Sequence, residues 1–326
     1  MRCVQYITDL EGPLTLNDNA FEIAAHFLPN GAHFFAIVSR YDDVLADIVK
    51  RAGYRAGNTL ALIVPFLKAF GLSDHDLREF SRTNIKLVPG AREAIQRIFA
   101  QMPTFIISTS YEPYVHAVCE VLEFPRENAY CTKISLDSYV MTERERQELI
   151  SLYDQIIQRP SIEIPAGAHT VSELAAQDRQ TIELLDAIFW EQIIQMEIGR
   201  VLRDVQPLGG PEKAHALREI VQRTEISLAQ TIYVGDSITD VEALELVRRE
   251  GGLAIAFNGN GYALRAAEFG CISPSALVLA EIAERFAQGG REHVLALLTA
   301  HIDKAFIARS EQMRRRLRGQ QIGSLG

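Results

Sequence analysis

Two acidic pairs lie where apolar runs of the sequence end. Tyr6-Ile7-Thr8-Asp9-Leu10-Glu11-Gly12-Pro13 sets two carboxylates two residues apart, and Tyr233-Val234-Gly235-Asp236-Ser237-Ile238-Thr239-Asp240 sets two carboxylates four apart. A helix starting at or just after Ser237 places Asp240 one turn in, so that both carboxylates of the second pair can face one cavity. Acids delivered from two strand ends suit a hard cation. Magnesium in particular takes a few carboxylate oxygens together with water and substrate phosphate. Between the pairs, Ile106-Ile107-Ser108-Thr109-Ser110 ends a third run in hydroxyls, and Gly209-Gly210-Pro211-Glu212-Lys213 brings in a lysine after a flexible loop. Hydroxyls and amides at a strand-to-helix junction hold phosphoryl oxygens, and a lysine offsets their charge. Each signal alone has an ordinary reading, as strand-end punctuation, an N-cap or a solvated lysine.

These residues need elements to carry them. β-like runs at 3–7, 104–107, 231–234 and 253–257 are apolar along most of their length, which is how strands covered by helices on both faces look. Helical patterns follow at 112–121, 241–248 and 263–269. The fold class predicted is therefore α/β, a Rossmann-like parallel sheet, with helical insertions as caps. One insertion, 14–86, carries breaks at Pro29-Asn30-Gly31, Gly53, Gly57 and Gly71-Leu72-Ser73-Asp74, which predicts about four helices. The other, 137–205, predicts a helix over 142–158, a loop over 160–167 and one long helix over 171–203. Core segments at 1–13, 87–136 and 206–275 surround them, and 276–326 adds C-terminal helices and an arginine-rich tail.

In order and context, the strand-end Asp9, the strand-end Ser108, Lys213 and the Gly235-Asp236 to Asp240 turn resemble the four motifs of the haloacid dehalogenase superfamily. Within it, the chain looks most like the phosphoserine-phosphatase branch, through Leu87-Val88-Pro89-Gly90-Ala91-Arg92-Glu93-Ala94-Ile95, the segment from Ile107 to Val115, and Leu253-Ala254-Ile255-Ala256-Phe257-Asn258. The resemblance implies that Asp9 attacks phosphorus to form an aspartyl-phosphate and that Glu11 stands in the general acid/base position. It implies that Ser108, with Thr109 beside it, and Lys213 receive the phosphoryl group. Magnesium would be held by Asp9, Glu11 through its carbonyl, Asp236 and Asp240. The chain departs from the phosphatase pattern at Glu11, where that pattern has aspartate. One methylene moves a carboxyl by about 1.5 Å, a displacement that costs on the order of a hundredfold in rate when it misplaces a catalytic group. The implied reaction is hydrolysis of a small phosphomonoester. The alternative is a catalytically weak accessory or binding subunit, with a protein partner seated on the 137–205 insertion. The chain also resembles, through no single motif, archaeal proteins of this superfamily known as an accessory subunit of an energy-converting hydrogenase.

Composition narrows the classes further. The 326 residues carry 48% hydrophobic side chains and a net charge of −9, which fits a globular chain with a large core and argues against a nucleic-acid surface. A small phosphorylated metabolite is the expected partner. Cys3, Cys119, Cys131 and Cys271 form no Cys-x-x-Cys pair, so reduced thiols and a cytoplasmic setting are expected. No apolar leader or bilayer-spanning run is evident, and the chain is expected not to be integral to a membrane. His26 and His33 read as packing or surface residues, Ser39-Arg40-Tyr41-Asp42-Asp43 as a solvated helix face, and Arg314-Arg315-Arg316-Leu317-Arg318 as a helix end that frays.

Overall fold

The apolar runs pair edge to edge. The computed structural model describes residues 3–165, 167–296 and 301–325. Met1 and Arg2, ahead of the first expected strand, and Ala166 in the expected 160–167 loop lie outside the described residues, as do 297–300 and Gly326. The strands are β1 (Gln5–Thr8), β2 (Thr104–Tyr111), β3 (Ala129–Thr132), β4 (Thr231–Gly235), β5 (Leu253–Phe257) and β6 (Phe269–Cys271). They form one parallel sheet in the order β3-β2-β1-β4-β5-β6. Strands β1, β4 and β5 are buried at every residue, as their unbroken apolar character requires. Two apolar clusters cover the sheet, one on each face, with Tyr6, Ile106, Val234 and Ile255 in the first and Ile7, Ile107, Tyr233 and Ala254 in the second. That division is the period-2 alternation of the pleat. The chain winds outward from β1 to β3 and then back through β4 to β6. Strands β1, β2 and β4 therefore meet where the winding reverses, and their C-terminal ends open onto the crevice in which such sheets bind ligands.

The short edge strands escaped the sequence reading. A helix was expected over 263–269; it runs only Gly261–Ala266, the chain turns extended at Ala267, and Phe269 pairs with Ile255 to begin β6. Strands of three or four half-buried residues, such as β6 and β3, carry too little apolar run to register.

The first insertion forms the four helices predicted, Asn19–Phe27, Gly31–Asp43, Thr59–Ala69 and Asp74–Thr83. In the second, Thr142 caps the helix Glu143–Ile157 through a reciprocal bond with Glu145. The single long helix expected over 171–203 is a series of pieces instead. Helix Ala176–Asp186 widens into a π-turn over Ala187–Gln192, short 3-10 turns follow, and Met196 is extended. The chain folds back so tightly that a Cβ on Gly199 would lie 2.0 Å from the Ile193 carbonyl. The apolar spacing survives because Ile193, Ile198 and Val201 all reach one cluster, although no continuous helix carries them. That cluster contains Phe34, Val64 and Phe66 from the first insertion and Tyr153, Leu185 and Phe189 from the second. The two insertions thus build one cap around one core. Its apolar residues are consumed internally; among the described residues the exposed large hydrophobics are Val49, Phe99, Val121 and Val140, none within 171–203.

Candidate active site

The sheet delivers the acids. Asp9 follows β1 and its amide donates to the Val234 carbonyl at 2.8 Å, which places it beside the end of β4, where Asp236 follows Gly235. Gly12 turns the chain immediately afterwards with φ +102°, a conformation glycine adopts without strain, and it backs onto Asp236 so closely that a Cβ would lie 2.1 Å from Oδ2. Lys213 sits in the first turn of helix Pro211–Thr224, whose entry is fixed by the Gly210 amide donating to the Thr239 carbonyl at 2.9 Å. Its fully buried ammonium donates to Asp9 Oδ2 at 2.8 Å and to Asp240 Oδ1 at 2.7 Å.

Asp240 organises rather than points outward. Its Oδ1 also accepts from the Tyr233 hydroxyl at 2.7 Å, and its Oδ2 accepts from the Asp236 and Ser237 amides at 3.0 and 3.1 Å. Burial works against its charge, but Lys213 and these donors outweigh burial and hold its carboxyl below the ordinary range. For Asp9 the balance reverses. Burial, only partly offset by Lys213 and reinforced by the Asp240 and Asp236 carboxylates, pushes it up to about 8. The Asp9, Asp236 and Asp240 oxygens lie within 4.8 Å of one another, a group able to hold a metal ion. Hard oxygen donors converging on one point, with burial outweighing Lys213 at Asp9, fit a small divalent cation.

Glu11 reaches the same cleft. Its Oε1 accepts from the Asn19 amide at 2.7 Å, and burial together with the Asp18 carboxylate pushes its own carboxyl well above the usual range. Ser108 is buried at the floor and its hydroxyl accepts from the Ser110 amide at 3.2 Å. Thr109 lines the cleft as well, but its hydroxyl donates to the Leu208 carbonyl at 3.0 Å, tying β2 to the loop ahead of Lys213. The cleft measures about 730 Å³ including its open mouth, and the sheet residues form its floor.

The walls hold two corrections. Ser39, Tyr41, Asp42 and Asp43, read as a solvated face, are all at most 8% exposed, and Ser39, Asp42 and Asp43 turn toward the cleft. The helix face that looked like a surface is the cap side lying against the sheet. Likewise the Arg314 to Arg318 run does not fray. In the helix Lys304–Arg318, the Arg314 guanidinium pairs with Asp236 Oδ2 and Arg318 Nη1 reaches the same oxygen at 3.2 Å. Phe306, Ser310 and Arg314 are buried at four-residue intervals, with Arg318 next in the series, and this is the one sequence signal that could have marked a packed face. His26 packs edge-on against Phe27 and tilted against Phe80, and His33 Nε2 meets the Arg159 carbonyl at 2.8 Å, so both histidines do pack ordinarily. A second trio with ligand-type atoms, Glu112, His116 and Cys131, lies half-exposed near β3, where burial pushes the thiol up to about 12, away from the thiolate a metal needs.

Residues 91–271 match a family model described as haloacid dehalogenase-like hydrolase. The structure of gene product AF1437 from Archaeoglobus fulgidus is 31% identical, with a TM-score of 0.84 over 100% of this chain and 99% of that one. Two phosphoserine phosphatase structures share the fold at 16% identity, each covering 87% of this chain. A substrate-bound complex has a TM-score of 0.53 over 98% of its chain, and a phospho-aspartyl intermediate analogue has a TM-score of 0.52 over 99%. No curated protein matches the chain. Among the described residues, no helix is long and apolar enough to cross a membrane.

Proposed function

This chain belongs to the haloacid dehalogenase-like hydrolase family, and on that basis we propose that it hydrolyses a small phosphomonoester through an aspartyl-phosphate on Asp9, with magnesium as its cofactor. The observation that carries the reading is the buried Asp9–Lys213–Asp240 chain set beside Asp236, with Glu11 at the mouth of the same turn. Asp9 and Asp236, with the Glu11 carbonyl, would hold magnesium, and Asp240 orients Lys213 and the turn. Bound there, the ion supplies charge against the phosphoryl oxygens.

The chain's own residues do the rest. The Asp9 carboxylate bonds to phosphorus while the ester oxygen leaves, taking a proton from Glu11, whose carboxyl burial and Asp18 shift toward the protonated form. Water then attacks the aspartyl-phosphate and gives its proton back to Glu11. Inorganic phosphate is released and Asp9 regenerated. Lys213 stabilises the charge on Asp9 and the phosphoryl group throughout, Ser108 is placed to donate to a phosphoryl oxygen, and the cap excludes water. The substrate class draws further support from the phosphatase identity of the two structural neighbours.

The test is phosphate release from p-nitrophenyl phosphate and a panel of alkyl phosphomonoesters including phosphoserine, with magnesium or EDTA. Wild type is expected to turn over only with magnesium, and Asp9→Asn to lose at least about three orders of magnitude. Silence of wild type across the panel, with activity gained in Glu11→Asp, would overturn the reading and leave a binding subunit with a detuned acid.

A further inference from the structure

We infer that the helix Lys304–Arg318 is a tethered competitor for the divalent cation, its Arg314 and Arg318 guanidiniums holding the Asp236 carboxylate that the cation must take; this rests on Asp236 being a ligand. Both guanidiniums converge on Oδ2 of one aspartate, in a place where the three side chains are only 3–6% exposed. Arg314 Nη1 also donates to the Asp236 carbonyl at 3.3 Å, so the strand end is gripped by side chain and backbone together. A divalent ion on Asp236 and two guanidiniums against the same carboxylate are like charges crowded into a dry cleft, where little solvent screens them. The two occupancies exclude one another.

The helix is seated there by specific contacts. Ser310 donates to the Gly259 carbonyl at 2.8 Å, Arg318 Nε donates to the Leu16 carbonyl at 3.2 Å, and Arg314 Nη2 reaches the Leu325 carbonyl at 3.3 Å. It is also built to leave. Among the described residues from 301 to 325, Phe306 and Leu325 are the buried hydrophobics, at 8% and 9% exposure, with Ile302, Ile307 and Ile322 only partly buried against the two cores, so the ion pairs share the seating with a modest apolar contact. Arg314 Nε is buried without a hydrogen-bond partner, a donor that release would hydrate. A cation therefore binds to the fraction of molecules in which the helix has let go, and its apparent affinity falls by that fraction.

Two readouts independent of turnover test this on the full chain: the Mn2+ dissociation constant from electron paramagnetic resonance, and amide hydrogen exchange over 304–318 with and without Mg2+. Arg314→Met/Arg318→Met is expected to bind Mn2+ roughly tenfold more tightly than wild type or better. Because that change also alters local charge, Ser310→Phe, which is neutral and unseats the helix sterically, is expected to tighten Mn2+ in the same direction. In wild type, saturating Mg2+ should speed exchange over 304–318 while leaving β4 protected. Unchanged or weaker Mn2+ binding in folded Ser310→Phe, or a helix equally protected with Mg2+, overturns the inference. Absence of phosphate release from wild type would sink the hydrolase reading alone, since these binding outcomes stand whether or not turnover follows.

Discussion

In the proposed reaction Glu11 is the acid, and its environment bears on that role. Burial and the Asp18 carboxylate raise its pKa, a shift toward holding the proton that an acid gives to a poor leaving group. Glu11→Gln cannot donate that proton but keeps an oxygen for the Asn19 amide. It is expected to slow alkyl phosphomonoesters by about 10²–10⁴ in kcat while slowing p-nitrophenyl phosphate far less, since nitrophenolate leaves unaided. Equal losses on both substrates would remove Glu11 from the acid role. Lys213 poses a stability question at the same scale. Buried between Asp9 and Asp240, it is pulled against burial toward its charged form by both carboxylates. Lys213→Met keeps the volume but strands two buried acids, and should lower unfolding free energy by about 3–5 kcal/mol in urea titration at pH 7.

At the scale of elements, the cap depends on a hydrogen-bonded joint between its two halves. Tyr41, on helix Gly31–Asp43, donates to Asp186 Oδ1 at 2.6 Å and accepts from Trp190 Nε1 at 2.8 Å, just where helix Ala176–Asp186 widens into its π-turn. Arg51 lies over the Trp190 ring at 4.3 Å and closes the joint. Trp190 is the chain's single tryptophan, so its fluorescence reports this junction without editing the sequence. Tyr41→Phe leaves the indole N–H without its acceptor, and is expected to cost about 1–2 kcal/mol and to shift Trp190 emission in the folded protein. An unchanged melting curve and spectrum would mean that the halves are held by apolar packing alone.

At the scale of the molecule, the apolar cores of sheet and cap touch at Tyr111 of β2, which joins the cap's cluster, and polar ties add to that contact. The Tyr111 hydroxyl donates to the Leu60 carbonyl at 2.6 Å, and the Tyr262 hydroxyl donates to Asp47 Oδ2 at 3.0 Å. The cleft between them is crowded with acids, and this sets how stability responds to pH. Burial raises Asp42 to about 6 although its Oδ2 accepts from the Gly57 amide and the Thr59 hydroxyl, both at 2.9 Å. A carboxyl whose folded pKa lies above its unfolded value binds more protons in the folded state, so its contribution to stability falls as pH rises between the two values. For Asp42 the window runs from about 4, the unfolded value, to about 6. Asp42→Asn keeps an acceptor for both donors and should flatten the decline in unfolding free energy across that window by on the order of 1–3 kcal/mol. A curve parallel to wild type would show that Asp42 stays ionised throughout.

The sequence by itself determined the parallel sheet and the acids at its strand ends, because both follow from local rules. An unbroken apolar run such as Thr231–Gly235 must be buried on two faces, and a carboxylate placed just after it lies at the sheet's C-terminal edge, as Asp9 and Asp236 do. The four helices of the first insertion were legible for the same reason, through their glycine breaks and caps. Tertiary structure alone decided the rest. The edge strands β3 and β6 exist through their neighbours' hydrogen bonds rather than their own composition. Helix 171–203 broke because apolar spacing specifies which residues face a core but not whether one continuous axis carries them. Ser39 to Asp43 and Arg314 to Arg318 read as solvent-facing because polar composition alone gives no sign of a partner. Ser39, Tyr41, Asp42, Asp43 and Arg314 became buried only when another element arrived opposite, and the pairing of Arg314 with Asp236 across 78 residues is a relation that no local pattern encodes.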